Sequence, residues 1–163
     1  MQWEEIFDKT KQAFEKGEMF ELLKGDANYS LAVCQGNIDV PTDWTSLISH
    51  GIFELYRKEQ DARLIEDYER AIRDLISGNA LEIWTAANVI CCHLMREAEG
   101  KAAFEIDKGI AEALSQSVLA NKDALASDKS YQGCGKEFGL LDDILRLDNI
   151  LSGEFNRKLI QCD

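Results

Sequence analysis

At 163 residues, 45% of them apolar and 29% charged, the chain has the size and make-up of one folded domain, 1–163, rather than a disordered segment. Its 30 acidic residues against 18 basic ones leave a net charge of −12, which repels phosphate backbones and anionic lipid and argues against nucleic acid or a membrane as partner. The start has no basic region followed by an apolar one. The longest uncharged run, Ile83 to Met95, is too short to cross a bilayer. Five cysteines, two of them adjacent at Cys91 and Cys92, read as reduced thiols in a cytoplasmic protein.

Helical periodicity runs through most of the chain. Trp3, Ile6, Phe7 and Phe14 share a face of a first helix that Gly17 should stop, and a short apolar turn, EMFELLKG, follows. The run Leu31 to Cys34 fits a helical turn or a brief strand; periodicity alone does not decide, and helix is favoured. Pro41, Thr42 and Asp43 form a helix start, with Thr42 placed to cap. Trp44, Leu47, Ile48, Phe53, Leu55 and Tyr56 then make a broad apolar face.

From about Asp61 a helix turns Leu64, Ile65, Tyr68, Ile72, Leu75 and Ile76 inward, and Gly78 ends it. Its outer face carries Glu66 with Arg70 and Glu69 with Arg73 at i,i+4 spacing. Asn79 and Glu82 stand as a capping box for the next helix, Ala80 to about Ala98, which is apolar on nearly every side and therefore central. Asn88 on that helix needs a hydrogen-bond partner if buried. Asp107 is placed to cap a helix burying Ile110, Leu114, Val118 and Leu119. A polar loop leads to a last amphipathic helix with Leu140, Leu141, Ile144, Leu145, Leu147, Ile150 and Leu151. The expected fold is all-α: a single irregular multi-helix bundle that stacked antiparallel hairpins would build.

The segment KSYQGCGKEFGLLDD, Lys129 to Asp143, is the most site-like stretch. A Walker loop needs a hydroxyl after Gly135-Lys136, but Glu137 stands there, and Ser130 occupies the position of the first glycine. A dinucleotide fingerprint fails too, because its third glycine position holds Phe138 and no buried strand precedes. Cys134, between two glycines and near Lys136, has the surroundings of a reactive thiol. Its base is missing, since His50 and His93 both lie on predicted helices without a motif tying them to it. The neighbours Cys91, Cys92 and His93 point about 100° apart on a helix and cannot converge on one metal ion, so they read as core residues. No metal or cofactor is expected.

Size, acidity and helical make-up together resemble the small acidic helical immunity proteins that bacteria keep against their toxins. The resemblance rests on whole-chain character and carries over no residue. It implies a non-catalytic protein that blocks a cognate, often basic, toxin domain. The contact candidates are the carboxylates Asp61, Glu66, Asp67 and Asp74 on one helix, and Glu137, Asp142 and Asp143 about the start of the last. Two rival readings stand beside it. One is a small-molecule enzyme or redox sensor using Cys134. The other is a structural adaptor or homo-oligomer with Trp3 or Trp44 at its interface.

Overall fold

A computed structural model of the chain describes residues 3–25, 44–129 and 139–161. Among these residues there are eight helices and no strand, so the all-α bundle expected from periodicity is the observed architecture. They are α1 (Trp3–Lys16), α2 (19–25), α3 (Trp44–Glu59), α4 (Ala62–Ile76), α5 (Ala80–Ala98), α6 (Lys108–Ala120), α7 (Lys122–Ser127) and α8 (Leu140–Phe155). None is long and apolar enough to cross a membrane. The helix-or-strand question at Leu31–Cys34 and the cap at Thr42 lie outside the described residues.

Helix α5 occupies the centre, as its near-uniform apolarity requires. It packs on α3, α4, α6, α7 and most extensively on α8, and buries Ile83, Trp84, Ala86, Ala87, Val89 and Ile90. One apolar cluster joins it to Leu64, Tyr68 and Leu75 of α4, Ile110 and Leu114 of α6, and Leu140, Ile144 and Leu151 of α8. On the far side α1 packs on α3. Gly51 permits that approach, because a Cβ there would come within 2.8 Å of Thr10 Oγ1 and 3.2 Å of Ile6 Cγ2.

Helix ends follow local chemistry. Gly17 closes α1 in the left-handed region, φ 71°, with Glu18 N–H donating to Ala13 O and Gly17 N–H to Phe14 O. Gly100, φ 72°, repeats this double closure after α5. At the start of α5, Asn79 Oδ1 accepts from Glu82 N–H at 2.9 Å and Glu82 Oε1 from Asn79 N–H at 3.0 Å, the capping box read from sequence.

Several expectations are corrected. The loop expected after α6 includes α7, anchored by buried Leu125. Leu119, 55% exposed, and Leu145, 44% exposed, face outward because each sits about 100° round its helix from a buried neighbour, Val118 and Ile144. The i,i+4 ion pairs on α4 give way to other partners. Arg70 reaches Asp67 at 3.3 Å and Arg73 reaches Asp107 at 2.6 Å, while Glu69 accepts the Asp107 N–H. Asp107 therefore stands at the N-cap of α6 without a side-chain capping bond. Asn88, half-buried, donates to Trp84 O one turn back.

Candidate functional site

Two features could carry function: a polar chain running out of the core at His93, and the acidic surface beside α4. His93 lies on the inner face of α5, fully buried, with Phe53 edge-on at 5.0 Å between ring centres and Phe104 at 5.3 Å. Its Nε2 is 3.1 Å from Phe104 O and 3.2 Å from Glu97 Oε2, both acceptors, so the ring proton sits on Nε2. Nδ1 is then free to accept from the Tyr68 hydroxyl at 3.0 Å. Burial pushes the Tyr68 pKa up and keeps that hydroxyl protonated, with a hydrogen bond from Ser49 opposing the shift.

Glu97, four residues on, brings the chain to the surface. Its side chain is 8% exposed; Oε2 also accepts from Ile106 N–H at 2.8 Å, and Oε1 lies 3.4 Å from Arg157 Nη1. Burial alone would raise its pKa. The hydrogen bonds from His93 and Ile106, and the charge of Arg157, hold it below the ordinary 4.5. Glu97 opens on a groove of about 410 Å³. Ile106, Asp107 and Lys108 form one wall, Arg157, Lys158 and Gln161 the other. His93 itself has no exposed surface and both ring nitrogens are engaged, so the groove meets a carboxylate, not an imidazole.

The sequence did not single out this chain of groups. The available signal was a histidine and a glutamate four apart at the exit of an otherwise apolar helix. Of the Cys91–His93 triplet expected in the core, Cys91 and His93 are buried and Cys92 is half-buried; Cys91 lies beside α8, and burial pushes its thiol up to about 12. Among the described residues no group of three or more candidate ligands is placed to hold a metal ion.

The carboxylates expected to touch a partner are not placed alike. Asp61 caps α4 by accepting Arg63 N–H at 3.0 Å and pairs with the Arg63 guanidinium at 2.6 Å, whose hydrogen bonds hold its carboxyl below the usual range. Glu66, Asp67 and Asp74 line two shallow depressions against the end of α1 and the start of α2, which share Asp67 and Arg70; Glu15 lines the first. Asp142 is exposed on α8 and accepts Gly139 N–H at 3.4 Å.

Asp143 is a correction. It is only 3% exposed, accepts the Trp84 indole N–H at 2.6 Å, and is held by Arg146 through Nε and Nη2 at 2.9 and 2.8 Å. Its carboxylate ties α8 to α5 and is not a surface contact. Glu137 and Cys134 lie outside the described residues, as do the side chains of Trp3 and Trp44. The chain matches no protein-family model, no curated protein and no solved structure.

Proposed function

We propose that the chain is a non-catalytic protein-binding protein whose partner is a basic protein domain, with neutralisation of a bacterial toxin as the most concrete form of that role. One observation carries the reading. Glu15, Glu66 and Asp74 are exposed along the depressions beside α4 and form no ion pair among the described residues, whereas the neighbouring cations Arg63 and Arg70 are already engaged by Asp61 and Asp67. A lysine or arginine entering from a partner therefore meets unpaired carboxylates and no competing free cation from this pair. Exposed charges of this kind act mainly on the rate of association and on partner choice. The overall charge of −12 adds a long-range field of the same sign.

The test is calorimetric titration of the purified chain against a basic domain encoded beside its gene, in wild type and in a Glu15→Lys, Glu66→Lys, Asp74→Lys triple variant. Binding weakened at least tenfold by the reversals is expected. Absence of binding, or equal affinity of both proteins, would overturn the proposal.

A further inference from the structure

The groove at the surface end of the His93 chain has two walls from distant parts of the sequence, and one carboxylate, Glu97, contacts both. The first wall is the 101–107 turn, fixed by Ile106 N–H on Glu97 Oε2. The second is the C-terminal strap 156–161, whose Arg157 faces Glu97 Oε1. Beyond Arg157 the strap is pinned by Asp148 Oδ1, which accepts from Leu159 N–H at 2.8 Å and Ile160 N–H at 3.1 Å, and by Ser115 Oγ, which accepts from Gln161 N–H at 2.6 Å. Leu159 is fully buried. We infer that Glu97 is a proton-operated clamp: ionised, it holds the turn and the strap together across the groove, and protonated, it loosens both.

The chemistry follows from counting donors. Three groups, His93 Nε2–H, Ile106 N–H and Arg157 Nη1–H, converge on two carboxylate oxygens. A protonated carboxyl presents an O–H at one of these oxygens, which removes an acceptor and sets donor against donor. It also removes the charge that attracts Arg157.

The other charged groups around Glu97 divide by element. On its own helix stands His93, backed by Tyr68 of α4. The turn and the start of α6 bring Glu105, Asp107, Lys108 and Glu112, and the strap brings Lys158 beside Arg157. The acidic members lie out in the groove, while the direct partners of Glu97 are all donors. Its burial at the groove floor makes it the point where one proton reaches both walls.

Amide hydrogen exchange on the full chain tests the clamp, read as protection factors at pH 7 and pH 4. In wild type, protection at Ile106 and at Gln161, whose N–H is held by the non-titrating Ser115 hydroxyl, should fall together by about tenfold on acidification, ahead of the α4 and α5 amides. Glu97→Gln should show the loosened pattern already at pH 7 and lose the pH response. Arg157→Gln, at a side chain 44% exposed, should loosen the strap and leave Ile106 protected, and it keeps the test open should Glu97→Gln not fold. Unchanged strap protection in Arg157→Gln, or a wild-type pH response retained in Glu97→Gln, would overturn the inference.

Discussion

Asp143→Ala should be among the most damaging single changes in the last helix. The substitution takes the acceptor from the Trp84 indole N–H, a 2.6 Å bond to a side chain 2% exposed, and releases Arg146. A charge-assisted bond contributes about 1.5–3 kcal/mol, and a buried donor deprived of its acceptor costs about 1–3 kcal/mol. The Arg146 side chain is half exposed, so its share is discounted to no more than about 1 kcal/mol. The first two figures describe the same lost bond, so with the Arg146 share the change is about 3 kcal/mol, or a melting temperature lower by roughly 6–12 °C for a domain of this size. Asp143→Asn keeps an oxygen for the indole and should cost about 1 kcal/mol. Urea unfolding at pH 7, followed by far-ultraviolet circular dichroism, measures each value. The decisive comparison is Asp143→Ala in wild type and in a Trp84→Phe background, where no indole N–H exists. The loss should be smaller there by about 1–2 kcal/mol. An equal loss in both backgrounds would refute the assigned bond.

Gly139→Ala should destabilise by about 1–3 kcal/mol, since the added Cβ would run into the carbonyl of Ala126 where the chain enters α8; thermal unfolding reads it. Gln60→Gly should stabilise by about 1 kcal/mol in the same assay, because Gln60 closes α3 at φ 53°, a conformation costly for any residue with a Cβ. Stability should fall on acidification in two windows. Burial, aided by Arg96 and Arg57 against Glu54, holds His50 below the ordinary 6.5, so folded His50 takes a proton less readily than unfolded and its contribution is lost as pH falls below 6.5. Glu97, held below 4.5, adds a second loss under that value; urea midpoints across pH should show both, and His50→Gln should remove the first. The Glu15→Lys, Glu66→Lys, Asp74→Lys variant should keep wild-type stability within about 1 kcal/mol, because all three side chains are exposed and form no ion pair among the described residues.

The fold was largely legible because helix boundaries here are written in adjacent residues. Gly17, the Asn79–Glu82 box and the all-round apolarity of α5 each act within a turn or two, where sequence order and spatial order agree. Long-range pairing was not legible. Glu69 and Arg73 have suitable partners on their own helix, yet both turn to Asp107, 38 and 34 residues away, because the start of α6 packs beside α4. The same holds at the candidate sites. Asp142 and Asp143 look alike in sequence, both acids in the first turn of α8, but their directions differ by about 100°. One faces solvent, and the other meets Trp84 from 59 residues earlier. Position along a helix therefore told which residues were acidic and ordered, and only tertiary packing told which were exposed.

The most direct test of binding through the acidic face is the rate of association with a basic domain encoded beside the gene, measured by stopped flow over a range of salt concentrations. Steering by Glu15, Glu66 and Asp74 predicts a rate that falls steeply with added salt in wild type, and a shallower fall from a slower start in the triple lysine variant. Identical rates and salt dependence in the two proteins would contradict it.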